Sequence, residues 1–266
     1  NALHQPDNIL EVRLLELLKR HIENCRPDLV GITIPFPGNL YAGLKCAQFI
    51  KKDFRNIKIV AGGGFVNTEL RDFSDPAIFE YLDFITLDDG ERPFLSIIEF
   101  LQGKKNRKDL NRTFIRFNDE VVYVNKHDAD FSSAETGCPD YSDLNLDQYL
   151  SLIEMANPMH RLWSDGCWNK LTIAHGCYWH KCAFCDTSLP YINRFETAPA
   201  SVLADRIEQV IAQTGHRGFH FVDEAAPPAM LKEMAKELIK RKIAISWWTN
   251  IRFENAFTPE LCRLLA

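Results

Sequence analysis

Three of the chain's eight cysteines, Cys177, Cys182 and Cys185, fall within His175 to Asp186, which reads HGCYWHKCAFCD. They directly follow an apolar, strand-like run, Leu171 to Ala174. Thiolates this close can share one metal centre, and a strand end is where open α/β folds and barrels carry their chemistry. The cysteines alternate with Tyr178, Trp179, His180, Lys181 and Asp186, which is poor composition for a buried core. Two metal readings stay open. An iron-sulfur cluster held by three thiolates leaves one iron free for an outside ligand. A structural zinc site needs a fourth ligand, for which His180 is available, although no second CxxC or HxxxH follows downstream.

The chain around this loop alternates strand and helix patterns. From Asn8, with Glu11 placed as in a capping box, Leu10, Leu14, Leu18 and Ile22 recur at helical spacing, so a first helix runs to about Cys25. Leu29 to Ile34 reads as a fully buried parallel strand, Asn39 is placed to cap a helix over Leu40 to Lys52, and Ile57 to Ala61 is a second strand. Gly62, Gly63 and Gly64 follow, as a plain tight turn or as a place where backbone approaches a ligand. A short helix near Ile78 to Tyr81 and a third strand, Phe84 to Leu87, come next. The turn Asp88 to Glu91 then enters a helix with Pro93 in its first turn, ending near Gly103. Together these form a doubly wound α/β layer, short of strands for its kind.

Thr113 to Phe117 and Val121 to Asn125, joined at Asn118 to Glu120, read as a β-hairpin. Lys126 to Asn169, with Pro139 and Pro158, has a linker's composition. A second α/β run opens at 171–174 and continues through the cysteine loop, a helix Val202 to Gln213, a strand Gly218 to Val222, a helix Met230 to Lys240, a strand Ile245 to Thr249 and the start of a helix at Pro259 to Leu265. Three strand-helix units do not close a barrel. The expected division is an α/β domain over 3–110, incomplete at its start, a hairpin and linker over 111–169, and a truncated barrel over 170–266. Cys25, Cys46 and Cys262 sit in helical patterns as packing residues, while Cys138 and Cys167 fall in the linker without an assigned role.

Composition narrows the setting. With 46% hydrophobic and 25% charged residues the chain reads as a soluble globular protein. No apolar run approaches the roughly 20 residues of a membrane span, and the start lacks a signal-peptide pattern, so a cytoplasmic location is expected. In a reducing compartment, eight cysteines suit metal chemistry and burial better than disulfides. Lys and Arg total 31 against 36 acidic residues, a net charge of -5 without a long basic run, which argues against nucleic acid as the main partner.

A strand, a loop of three cysteines ending in CxxC with Phe184 before the last, and repeated strand-helix units resemble the radical S-adenosylmethionine (SAM) superfamily. The first half resembles the cobalamin-binding domain often fused in front of it: a DLVGIT strand (Asp28 to Thr33), the glycine triplet after the next strand, and the Gly90-Glu91 turn before a helix. Further similarities are CPDYSDL (Cys138 to Leu144), FVDEAAPP (Phe221 to Pro228) and W-x-x-N-x-R (Trp247 to Arg252). The spacing here is CxxxxCxxC where the superfamily usually has CxxxCxxC, and the Asp-x-His-x-x-Gly motif that gives cobalt a histidine in other cobalamin proteins is absent.

The resemblance implies a partial Rossmann-like parallel sheet followed by a partial TIM-type barrel, and a radical SAM enzyme with a 4Fe-4S cluster, SAM and, where the first domain binds it, cobalamin. Cys177, Cys182 and Cys185 would hold the cluster and Phe184 would lie against the adenine. Asp223 and Glu224 would meet the SAM amine or ribose, or else serve as a solvated helix cap; Asn250 and Arg252 would meet ribose or carboxylate, or, for Arg252, form a surface ion pair. Ile34, Pro35, Phe36, Gly62, Gly63, Gly64, Gly90 and Glu91 would line a corrinoid. The implied chemistry is a 5'-deoxyadenosyl radical used for methyl transfer, on a small-molecule or peptide substrate, with an electron donor such as flavodoxin or ferredoxin. A radical SAM enzyme whose first domain binds no corrinoid, and a zinc-stabilised module without turnover, are the competing expectations.

Overall fold

The structure, a computed structural model, describes residues 2–5, 8–148 and 168–266. Cys167 and Pro158 lie outside the described residues. The chain divides into two compact units, Asn1–Asp130 and Phe131–Ala266.

In the first unit, α1 (Ile9–Cys25) starts at a capping box: Asn8 Oδ1 accepts from the amides of Leu10 at 2.9 Å and Glu11 at 3.1 Å, and Glu11 Oε2 accepts from the Asn8 amide at 3.0 Å. Only the end of its apolar stripe is packed, for Ile22 is buried while Leu10 is 78% exposed. β1 (Leu29–Thr33), α2 (Pro37–Asp53), β2 (Lys58–Gly62), α3 (Gly64–Glu69), β3 (Phe84–Thr86) and α4 (Glu91–Leu101) follow. Asn39 does not cap α2; the helix begins at Pro37 with Phe36 as its cap residue, because proline suits a first-turn position whose amide would lack a partner anyway. Cys25 is exposed rather than packed, and burial pushes the Cys46 thiol up.

β1, β2 and β3 pair in parallel, with β2 central and Ile59, Val60 and Ala61 all buried, the continuous apolar run of a strand covered on both faces. The strands missing from the sequence pattern come from the hairpin β4 (Thr113–Phe117) and β5 (Glu120–Val124). Expected to lie with the linker, it instead adds antiparallel to β3, giving a five-stranded sheet in the order β1-β2-β3-β4-β5. Asn118 and Asp119 both take left-handed φ, 50° and 63°, as a two-residue turn matched to strand twist requires.

In the second unit, β6 (Asn169–Leu171) is followed by the short pair β7 (Ala174–His175) and β8 (Glu196–Thr197), with α5 (Pro190–Asn193) between them. Then come α6 (Ala200–Thr214), β9 (Gly218–Phe221), α7 (Pro228–Arg241), β10 (Ser246–Thr249) and α8 (Pro259–Leu265). β6, β9 and β10 form a parallel three-stranded sheet in the order β10-β9-β6. Leu171, Phe219 and Phe221 pack on Leu203, Ile207 and Val210 of α6 and Leu231 and Met234 of α7. Residues 131–141 lie on this unit: Arg206 Nη2 donates to the Ser133 carbonyl at 2.6 Å, and the Tyr141 amide donates to Gln213 at 2.7 Å. Cys138 packs against this core, where burial pushes its thiol up; Cys262 is exposed rather than packed.

Candidate functional site

The C-terminal edge of the first sheet is shaped by close backbone packing. The Ile34 amide donates to the Gly62 carbonyl at 2.8 Å, and the Phe65 amide donates to the Ile34 carbonyl at 3.0 Å. Gly63 has φ 106°, and a Cβ there would lie 2.9 Å from the Ile34 nitrogen. A Cβ on Gly62 would lie 2.8 Å from Thr86 Oγ1, and one on Gly64 3.1 Å from the Pro35 carbonyl oxygen. The triplet is therefore glycine because the chain meets its own backbone and Thr86 there.

The Asp88 to Glu91 turn is held by charge. Arg71 Nη1 reaches Asp88 Oδ1 at 2.5 Å, Arg112 Nε lies 3.6 Å from Asp88 Oδ2, and the Asp88 amide donates to Asn67 Oδ1 at 2.8 Å. Arg112 in turn pairs with Asp130. Between this turn and β1 lies a cleft of about 470 Å³ lined by Gly31, Gly62, Gly63, Thr86, Gly90 and Glu91, among others. A Cβ on Gly90 would meet nothing within 4 Å, so no protein atom demands glycine there. Gly31, inside β1, was missed as a site residue, although a glycine within a strand is itself a sign of close approach. Gly64 is outside this lining; Ile34 is 2% exposed in the core, and Pro35 and Phe36 stand exposed, so none of the three lines the cleft.

In the second unit, β7 and β8 clamp the two ends of the cysteine loop, pairing Ala174 with Thr197 and His175 with Glu196. Gly176 takes φ 71°, and a Cβ there would fall 2.0 Å from the Arg194 carbonyl oxygen, so a side chain cannot pass. Glu196 accepts from Arg194 Nη2 at 2.6 Å and from the Ser133 amide at 2.9 Å, and these donors hold its carboxyl below the usual range.

Asp223, at the end of β9, is 4% exposed, and its two oxygens accept from the amides of Ile173 at 2.9 Å and Ala174 at 2.8 Å. It is buried rather than a solvated helix cap, and it ties the second strand's end to the segment entering the cysteine loop. Burial pushes its carboxyl up, against the opposing pull of the two amides. Asn250 Nδ2 donates to the Asp223 carbonyl at 3.3 Å, and the Ala226 amide donates to the Asn250 carbonyl at 2.9 Å. Glu224 is exposed.

Arg252 folds back on the cysteine loop. Its guanidinium carbon lies 3.4 Å from the Trp179 ring centroid, its Nη1 reaches Glu254 at 2.8 Å, and Tyr178 donates its hydroxyl to Glu254 at 2.9 Å. Sequence reasoning missed Tyr178, Glu254 and Gly176; only Gly176, a glycine directly before the first cysteine, carried a local signal.

The three thiols share this clamped loop: Cys177 and Cys185 half-buried, Cys182 exposed, none in a disulfide. The Trp179 amide donates to Cys177 Sγ at 3.4 Å, and the Cys185 amide to the Cys182 carbonyl at 3.1 Å. Among the described residues no three His, Cys, Asp or Glu side chains are gathered closely enough to hold a metal ion. The structure thus brings the cysteines to one loop without converging their sulfurs. Three thiols, one already accepting a backbone amide, are a donor set suited to an iron-sulfur cluster. Among the described residues His180 Nε2 is buried without a hydrogen-bond partner and is not grouped with the thiols. Phe184 is 91% exposed.

No family model matches the chain, and no curated protein is similar to it in sequence. Solved structures are similar in fold. One is the cobalamin-dependent S-adenosylmethionine radical enzyme OxsB with aqua-cobalamin and S-adenosylmethionine bound: TM-score 0.69, 16% identity, 92% of this chain and 33% of that one. Another is the radical S-adenosylmethionine methyltransferase TsrM from Kitasatospora setae with tryptophan substrate and a SAM analogue bound: TM-score 0.61, 17% identity, 94% of this chain and 49% of that one. A TsrM structure with cobalamin and a 4Fe-4S cluster bound gives TM-score 0.59 and 15% identity over 100% of this chain and 56% of that one. The chain thus has the fold seen in cobalamin-dependent radical SAM enzymes, and spans about a third of OxsB and about half of TsrM.

Proposed function

We propose that this chain is part of a cobalamin-dependent radical SAM enzyme, its second unit the opening portion of the barrel and its first unit the corrinoid-binding portion. The observation that carries the proposal is a three-thiol loop, clamped at both ends, following the first strand of a parallel sheet in a chain of this fold. Cys177, Cys182 and Cys185 would hold a 4Fe-4S cluster. When bound, cluster and SAM supply a 5'-deoxyadenosyl radical, and cobalamin a methyl group for transfer. Phe184, bare of protein contacts over most of its surface, would cover the adenine, and exposed Glu224 is placed to meet the SAM amine or ribose. Asp223 and Asn250 act through the backbone, by fixing strand ends, and Arg252 by bracing Trp179. Gly31, Gly62, Gly63, Gly90 and Glu91 would receive part of the corrinoid. The substrate would be a small molecule or peptide, and a flavodoxin- or ferredoxin-like protein the electron donor.

Anaerobic reconstitution with iron and sulfide tests the cluster. Iron and sulfide should be retained after gel filtration and lost in Cys182→Ala; colourless, zinc-loaded protein, or unchanged iron in the variant, would refute the assignment. Hydroxocobalamin absorbance retained after the same step tests the first unit separately, and its absence would remove the methyl-transfer part.

A further inference from the structure

The sheet of the second unit has two faces, and among the described residues the apolar core packs on one of them. Leu171, Phe219 and Phe221 lie beneath α6 and α7. On the other face a single cross-strand row carries chemistry: Lys170 of β6 is the register partner of His220 in β9, which is the partner of Trp248 in β10. Lys170 Nζ lies 2.6 Å from His220 Nδ1. The imidazole stacks on Trp248 with centroids 3.5 Å apart and planes 8° from parallel, and Trp168 meets Trp248 edge-on at 6.4 Å.

An ammonium carries no acceptor, so at this distance the imidazole must be neutral and accept through Nδ1. The environment agrees: burial pushes both the Lys170 ammonium and the His220 imidazolium down, and the lysine's charge pushes His220 down further. Among the described residues the imidazole is the only polar side-chain partner of Lys170. This partly desolvated cation meets no counter-charge among the described residues, on a chain whose net charge is -5. Beside it Trp248, stacked on His220, is 43% exposed and adds aromatic surface. A cation with spare donors next to exposed aromatic surface suits a ligand that carries one negative charge on a planar apolar body.

We infer that Lys170, His220 and Trp248 form a binding subsite for the carboxylate and attached ring of an aromatic acid, with Lys170 taking the carboxylate, His220 orienting the ammonium and Trp248 supporting the ring. This deepens the proposed function by naming a substrate class, and rests on it only for the claim that the acid is a substrate.

The test uses the chain without reconstitution, so that it does not depend on cluster or corrinoid. Benzoate, benzamide and phenyl phosphate are titrated while tryptophan emission is followed. Saturable quenching by benzoate, with benzamide at least several-fold weaker, is expected. Lys170→Met should weaken benzoate roughly ten- to hundredfold, the range of a charge-assisted hydrogen bond, while Lys170→Arg retains most of the binding. Equal binding of benzamide, or unchanged benzoate binding in Lys170→Met with circular dichroism unaltered, would overturn the subsite; phenyl phosphate outcompeting benzoate would overturn the carboxylate assignment. Iron and sulfide retention is measured on the same variants. Normal loading of Lys170→Met with loss of benzoate separates the subsite from the cluster, and failure of the wild-type chain to load would count against the enzyme reading while leaving the binding result intact.

Discussion

The two sheet edges that carry candidate sites are built on opposite principles. In the first unit the cleft is complete: Gly62 and Gly63 are pressed against Thr86 and Ile34, and the Asp88 turn is pinned by Arg71 and Arg112. In the second unit the loop's frame is fixed while its thiols are not gathered. β7, β8, Gly176, Asp223 and the Arg252-Trp179 contact hold the cysteine loop from outside, while its sulfurs remain ungathered. A cleft for an organic group can be made by packing alone, because its walls need only leave room. For the proposed cluster the last order would come from the metal, since thiolates repel one another until a cation sits among them.

If that contrast holds, damage to the frame of the second unit should be costly even without metal. Asp223→Ala strands two buried amides, each worth about 1–3 kcal/mol, so a loss of roughly 2–6 kcal/mol is expected in urea unfolding, with Asp223→Asn intermediate. No change would mean the tie is incidental. Gly176→Ala should come next, because left-handed backbone costs about 1–2 kcal/mol in an alanine and the Arg194 carbonyl must also move; proteolysis within 176–195 should rise sharply.

The clamp should also answer to acid. Glu196 has a lowered carboxyl value in the fold, so its contribution is present above the ordinary glutamate value of about 4.3 and is lost as the pH falls through the lower folded value. The Ser133 amide resonance should shift over that window, and Glu196→Gln should abolish the step. Smaller again is Arg252→Ala: loss of the stacked guanidinium should cost about 0.5–1 kcal/mol and red-shift Trp179 emission. Smallest is Gly90→Ala in the first unit, where no atom lies in the way; stability should stay within about 0.5 kcal/mol, while hydroxocobalamin retention falls if the cleft receives the corrinoid. A large loss of stability there would break the contrast.

Much of this was legible because it is local. The capping box at Asn8 and Glu11, the tight turn at Gly63 and the placement of three cysteines after a strand are written within a few consecutive residues. The Asn39 cap failed for an equally local reason, Pro37 taking the first turn two residues earlier. The role of Asp223 was not legible, because its partners lie 50 and 49 positions away and only parallel pairing of β6 with β9 brings them within reach.

By itself, then, the chain's pattern of residues determined the alternation of strands and helices, the apolar face of each, and the clustering of thiols on one loop, since side-chain periodicity and backbone preference act over short spans. Only the tertiary structure decided that the hairpin completes the first sheet, that Arg252 braces Trp179, and that Lys170, His220 and Trp248 stand in one row. Those depend on strand order and register, which join distant segments and have no signature in any one of them.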